Sequence, residues 1–449
     1  MFLGVILISA LPGELLAEKV DLSSHPIDLH LPDELSQDRA KVYGPIDPVA
    51  TRTNHPVQLY IAPPFVPQDL DVLVRKVNNT DGSVRAGQLA KIAAQSEVRS
   101  ARWLRFPSAA AGYDYDDQSK KLAPSIDLSV PIWFGGSLPA NLRRSKEQFH
   151  SADAQLAEIA LALSIETSEI FFSYINSSRL IEIYEDSVAA HAGLVESMER
   201  RVSQEISPLS DLELARSRLA QIEQELTELR AQKETALSLL RELANDPSVL
   251  PASNQSYAEA INSHEWSDAV SESLSYSPTL KRLGFDARAA YADKSIAKSN
   301  LFPQVSAYFR HSDALGSTIG LSTRIQTGNG LSQFSAISTA DARAKEVESR
   351  ALLAARQLRQ SVLTDLAALK SARKRAIIST TAALNAQRVS ESYRRQFITG
   401  RRSWLDLMNS LRENLQAAAS REQSEVSAMA LNVKLALTTG LWGVYTGED

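Results

Sequence analysis

The chain of 449 residues predicts a mainly helical protein with membrane β-structure, built from long antiparallel coiled-coil helices and four β-strands. Three observations carry this prediction. One helix–strand–strand–helix unit is written twice, four short stretches change from a helical period to a period of two, and the helical stretches are far longer than a globular domain needs. Composition agrees: only 6% of residues are aromatic, and Ala, Leu, Glu, Arg and Ser dominate long segments, as in extended helices.

The duplication shows in paired landmarks. Phe106-Pro107 and Phe302-Pro303 each close a helical stretch, 196 residues apart. Gly135-Gly136 and Gly328-Asn329 each end a strand-like run at a spacing of 193, and Ser210-Asp211-Leu212-Glu213 precedes Ser403-Trp404-Leu405-Asp406 by the same 193. The expected organisation is a signal peptide over 1–17, a Pro-rich N-terminal extension over 18–80, a first repeat over 81–250 and a second over 265–442.

The N-terminus holds an apolar run from Phe2 to Leu11, too short to span a bilayer as a helix and of the size of a secretory signal core, with cleavage expected near Ala17. No Lys or Arg precedes it, so a mis-assigned or truncated start is one reading, and a buried N-terminal strand or helix is the rival to the signal. In the first repeat a helix is expected over 84–106, after an NNTDGS turn; in the second, over 277–300. Both stop before a proline, because the residue preceding proline disfavours the α region.

Strands are expected at about 107–116, 125–134, 303–311 and 317–327. Their apolar faces carry Ala109, Ala111, Tyr113 and Tyr115; Ile126, Leu128, Val130, Ile132 and Phe134; Val305, Ala307 and Phe309; and Ile319, Leu321, Thr323 and Ile325. The opposite faces carry Asp114, Asp116, Asp127, Ser129, Arg310, Ser322 and Arg324. Runs of about nine to eleven residues with apolar-out, polar-in alternation are the signature of transmembrane barrel strands. A soluble hairpin packed on one face shows the same alternation; two equivalent hairpins beside very long helices favour the barrel. Four strands cannot close a barrel, and open edges are not tolerated in hydrocarbon, so several chains must pool their strands.

A helix from about Pro139 to Glu205 would run roughly 100 Å. Two coiled-coil seams follow: Leu212, Ala215, Leu219, Ile222, Leu226, Leu229, Ala236, Leu240 and Leu243, interrupted by Lys233; and Ile181, Tyr184, Val188, His191, Val195, Met198 and Val202. His191 is read as a polar residue of the seam.

Other classes are set aside on chemistry. Lys plus Arg number 48 against 53 Asp plus Glu, a net charge of -5, so no global basic surface argues for nucleic acid. With no cysteine, disulfides, thiol nucleophiles and attachment of lipid to an N-terminal cysteine are excluded. The seven histidines lack metal-pair spacing, and no nucleophile–base pair or phosphate-binding glycine loop stands out. No enzyme activity, cofactor or metal is expected.

The duplicated unit, with Phe-Pro before the strands and ITGRRSWLDLMNSLREN (398–414) near the end, resembles the TolC family of outer-membrane secretion and efflux channels over roughly residues 80–440. The sequence departs from it at Asn78-Asn79, where Asn-Pro is usual, and in its long Pro-rich extension, which could cross a barrel wall, wrap outside it or stay disordered. The resemblance implies a homotrimer in the outer membrane of a Gram-negative cell. Its strands form one twelve-stranded β-barrel among outer-membrane lipid, and its helices form a periplasmic tunnel. An inner-membrane ABC exporter or proton-driven pump, with a periplasmic adaptor (membrane fusion) protein, opens the tunnel at its tip.

Read locally, the two turns are EISPLSDLELARS (205–217) and FITGRRSWLDLMN (397–409). Pro208, Ser210, Gly400 and Ser403 are expected to form them: Gly400 for a positive φ, Ser403 as N-cap with Asp406 three residues on, and Ser210 likewise with Glu213. The resemblance adds gate roles. Arg402 stands for a latch arginine, Phe397 for a latch tyrosine without its hydroxyl, and Asp211 for the latch partner. Asp406 stands for an acidic constriction ring, with Asn409 where a second ring aspartate often lies. Capping remains an equal explanation for Asp406, and the cap alignment (193) and gate alignment (195) disagree by two residues. Type I protein secretion is favoured over small-molecule efflux because many efflux members carry an acylated cysteine and because the 400–413 turn is similar to secretion members. A soluble coiled-coil scaffold is the third reading.

Overall fold

The computed structural model describes residues 58–116, 121–252, 264–312, 316–325 and 332–445. The expected signal peptide, most of the Pro-rich extension and the Gly328-Asn329 landmark lie outside them, as do the side chains of Asp114, Tyr115 and Asp116.

Two helix–helix–strand–strand–helix–helix units follow a short strand. After β1 (Gln58–Leu59) come α1 (Gln68–Thr80), α2 (Gly82–Trp103), β2 (Ser108–Asp116), β3 (Lys121–Phe134), α3 (Ser137–Ser203) and α4 (Leu209–Leu243). The second unit is α5 (Ala269–Tyr276), α6 (Pro278–Ser299), β4 (Gln304–Ser312), β5 (Gly316–Arg324), α7 (Ser332–Ile398) and α8 (Trp404–Thr439), closed by β6 (Val444–Tyr445). Helices α3 and α7 each have 67 residues, roughly 100 Å of rise. The repeat spacing is 196 for α2/α6 and β2/β4, and 195 for α3/α7 and the starts of α4/α8.

Residues 68–80, placed by sequence in the extension, are a helix of the first unit. Leu70, Leu73, Val74 and Val77 recur at helical spacing and are buried. The break that matches Ser277-Pro278 is Asp81-Gly82, not Asn78-Asn79: Asp81 caps α2 by accepting from the Ser83 N–H at 2.7 Å, and Asn78 stays helical, its amide donating to the Ser164 hydroxyl at 2.9 Å.

The long strands form one antiparallel sheet ordered β2-β3-β4-β5. Ala111 faces Ile126, Leu128 faces Phe309 and Phe309 faces Ile319, so apolar residues line one face of all four strands. Ile126, Leu128, Ile132, Ile319 and Leu321 are exposed there, as expected of a lipid-facing wall. The polar face is tied by Arg310, which sits opposite Asp127 with Nε to Oδ1 at 2.5 Å. One expectation fails. A bulge between Pro131 and Trp133 puts Trp133 opposite Val305 and Phe134 opposite Gln304, so Phe134 lies on the polar face and Trp133 replaces it on the apolar one. Within one chain, β2 and β5 are both edge strands.

The strands meet the helices through a close approach. Gly135 has φ +61, and a Cβ on it would lie 2.5 Å from the Ser299 carbonyl oxygen and 2.8 Å from Phe302, so only glycine brings the end of β3 this near the end of α6.

Helix α3 packs against α2, α4, α6 and α8. Small residues make this possible: Ser164, Thr167 and Ser168 are buried and satisfy their hydroxyls on the carbonyl four residues back at 2.7 Å. The main core gathers Val74, Val77, Phe171, Ile175, Leu240, Met429, Leu437 and Trp442. The first and last described strands are pinned at this level. β1 pairs with β6, the Trp442 indole donates to Asp71 at 3.1 Å, and the Tyr276 hydroxyl both accepts from the Val444 N–H and donates to its carbonyl.

Both predicted seams are continuous. Leu212, Ala215, Ile222, Leu226, Ala236 and Leu240 are buried, as are Ile181, His191, Val195 and Met198; Lys233 lays its ammonium over the Tyr174 ring at 5.7 Å.

Candidate functional site

The turns α3–α4 and α7–α8 are held side by side by an apolar cluster separate from the main core. It comprises Leu194, Val195, Met198, Leu212, Ala215, Phe397, Leu407 and Met408, flanked by Tyr393 and Trp404. Each residue comes from the last turns of α3 and α7 or the first of α4 and α8, so the ends of both hairpins are packed as one body.

The backbone of the two turns repeats at a spacing of 195. Gly400 has φ +71 and Glu205, its counterpart, φ +58. Ser403 caps α8 at φ -71 and ψ 154; Pro208 precedes α4 at φ -70 and ψ 153. The 193 spacing read from the two Ser motifs is thereby corrected. Ser210 lies inside the first turn of α4 and caps nothing, and Glu213 pairs with Arg216 at 3.2 Å instead of forming a capping box. Pro208 takes the cap position because its ring prefers this φ and its missing N–H needs no partner there. In the second turn, Ser403 Oγ accepts from the Asp406 N–H at 3.1 Å.

Asp211 and Asp406 are therefore equivalent positions, the third residue of α4 and of α8, where a carboxylate also interacts favourably with the helix dipole. Their partners differ. Asp211 Oδ2 accepts the Trp404 indole N–H at 2.8 Å, a bond from the second turn to the first. Among the described residues the Asp406 carboxylate meets only the edge of Arg402, Oδ2 to Nη1 at 3.8 Å, with the Arg402 and Asp406 side chains 40% and 45% exposed, so the pair adds little stability. Arg402 stacks its guanidinium over the Tyr393 ring at 4.3 Å and donates from Nε to Gln396 at 3.2 Å. No ion pair joins Arg402 to Asp211 among the described residues of one chain. Phe397 is buried beneath Arg201, whose guanidinium lies 5.5 Å from its ring centre, and Asn409 is exposed on α8.

Trp404 stands in the Ser403–Asp406 motif without an assigned role, and Tyr393 has no signal in the sequence. An indole one residue after an N-cap serine, within reach of an acid 193 residues away, has no local signal; only the packing of the two turns creates the contact.

With this geometry in view, residues 73–246 match the family model described as outer membrane efflux protein. Over this stretch the chain is similar to the outer-membrane efflux channels. No curated protein matches it. Solved structures share its fold at low identity. The outer-membrane channel OprN is 17% identical with a TM-score of 0.73, covering 84% of this chain and 91% of its own. VceC of Vibrio cholerae is 16% identical with a TM-score of 0.70, covering 83% and 96%. The Campylobacter jejuni channel CmeC is 15% identical with a TM-score of 0.73, covering 86% and 88%. The fold matches that of trimeric channels with a helical tunnel and a β-barrel, an assembly that would pair the two sheet edges β2 and β5. The match to the efflux-protein model and the shared fold favour an outer-membrane channel over a soluble scaffold or an enzyme. Channels of the family are homotrimers that work with periplasmic adaptors and inner-membrane pumps.

Proposed function

We propose that this TolC-type channel is the passive outlet of a type I protein secretion system, closed at its periplasmic tip by contacts between neighbouring protomers. The observation that carries the closure is the unequal pairing of the two turns. Asp211 is held by Trp404, while among the described residues Arg402 has no full-strength carboxylate partner and rests on Tyr393, exposed at the end of the hairpin. Its guanidinium is free to form a forked, charge-assisted bond across a protomer boundary to Asp211, whose second oxygen can still accept. Around a three-fold axis the Asp406 carboxylates, with Asn409 one helical turn further along, would concentrate negative charge and favour cations. Phe397 would anchor the latch helix by burial alone. Residues 1–17 are proposed as the cleaved secretory signal.

The absence of cysteine and the 400–413 turn support secretion of proteins. The family description favours a second reading, export of small molecules. Photo-crosslinkers at positions in 200–215 and 398–412, in intact cells, separate the two. An ABC exporter and its adaptor captured at these tips support the first reading; a proton-driven pump overturns it.

A further inference from the structure

A partly enclosed cavity of about 180 Å³ lies where α3, α4 and α8 meet; it begins beside the hairpin ends, at Leu405, and shares only Asn409 with the proposed gate. One side is apolar, with Leu214, Ile222 and Met408. The other is polar, and its groups are incompletely matched. Arg218 bonds only to the Gln221 side-chain oxygen at 3.0 Å, and among the described residues no carboxylate pairs with either Arg218 or Arg412. Glu225 is the one acid on the wall, and the Tyr184 hydroxyl and the Gln221 amide already bond to it. Two guanidiniums against one carboxylate leave the wall one positive charge in excess.

The third element is His191, which lines the same cavity and is 2% exposed. Its Nδ1 lies 2.8 Å from the Ser187 carbonyl oxygen, a partner that only accepts, so Nδ1 carries the proton. Burial lowers the pKa of the ring, so it is neutral and Nε2 is left with a lone pair. The wall thus offers an acceptor on one helix, unpaired cations on two others and an apolar surface between them.

We propose that this cavity binds a small hydroxylated monocarboxylate with an apolar body, its carboxylate taken by Arg412 and Arg218 and its hydroxyl donating to His191 Nε2. A bound acid of this class bridges α8 of the second hairpin to α3 and α4 of the first, and so ties together the two hairpins whose ends carry the gate. The inference does not depend on which cargo the channel exports.

The test is equilibrium dialysis of radiolabelled 3- and 4-hydroxybenzoate against the purified full-length protein in detergent, with detergent alone as the blank. Saturable binding at one site per chain is expected for at least one of the two. Benzoate, lacking the hydroxyl, and 4-hydroxybenzamide, lacking the charge, should each bind at least tenfold more weakly. Arg412→Met and His191→Gln should weaken binding at least tenfold. Leu214 is 40% exposed at the rim, so Leu214→Trp can fill the cavity without entering the core and should abolish binding at unchanged helix content and oligomer size. The proposal is overturned if neither acid binds saturably, if the neutral amide binds equally well, or if binding survives Arg412→Met and Leu214→Trp.

Discussion

The Trp404 indole donates its N–H to the Asp211 carboxylate at 2.8 Å, joining the second helical turn of the chain to the first across 193 residues of sequence. Both groups stand at the start of a helix, on the apolar cluster that packs the two hairpins together. The bond holds two otherwise independent coiled-coil ends in one register.

Removing the bond should loosen the tip without unfolding the rods. A hydrogen bond to a charged partner contributes about 1.5–3 kcal/mol. Trp404→Phe keeps the ring and loses the donor, so amide exchange across 398–412 should speed up about tenfold or more. Exchange in the main core around Met429 should be unchanged.

The caps differ between the turns, and substitution distinguishes them. Ser403→Ala removes the side chain that accepts from Asp406 N–H and should cost about 1 kcal/mol. Ser210→Ala, inside α4 with no capping role, should stay within about 0.5 kcal/mol of wild type. Urea unfolding of the two variants checks this, and equal losses would restore the 193-residue alignment.

The left-handed positions carry opposite expectations. Gly400→Ala forces a Cβ onto φ +71 and should destabilise the turn by about 1 kcal/mol. Glu205 already bears that strain at φ +58, so Glu205→Gly should stabilise by up to about 1 kcal/mol. Thermal midpoints of the pair should move in opposite directions.

Stability should also respond to pH through Glu425. Burial, then the neighbouring Glu422, raises its pKa, while Arg421 and Arg179 pull it down. A carboxyl raised in the folded state contributes stability that is present below the unfolded value and lost as pH rises through the folded value. Glu425→Gln should therefore gain thermal stability relative to wild type between the ordinary glutamate range and neutral pH. A difference that is flat across that window would contradict the burial argument.

Much of this architecture is legible because its signals are periodic. The seams from Leu212 to Leu243 and from Ile181 to Val202 repeat over many turns, and strand alternation survives wherever pairing is regular. Single events are not periodic. The bulge that turns Phe134 to the polar face, the positive φ of Glu205 and the cap supplied by Pro208 each depend on one residue's surroundings. The helix over Gln68–Thr80 was hidden by the Pro-rich stretch before it, although its apolar spacing is regular. At the tip, Gly400, Ser403 and Asp406 could be read as turn chemistry, but the choice of Trp404 as partner to Asp211 belongs to tertiary packing.

The central claim, a channel closed at these turns, is tested most directly by single-channel recording of the purified trimer in planar bilayers, wild type against Arg402→Ser. The account predicts a stable low conductance for the wild type and a clearly higher one for the variant, because its latch is lost while the barrel is untouched. No channel at all, or equal conductance and voltage response in the two proteins, would contradict it.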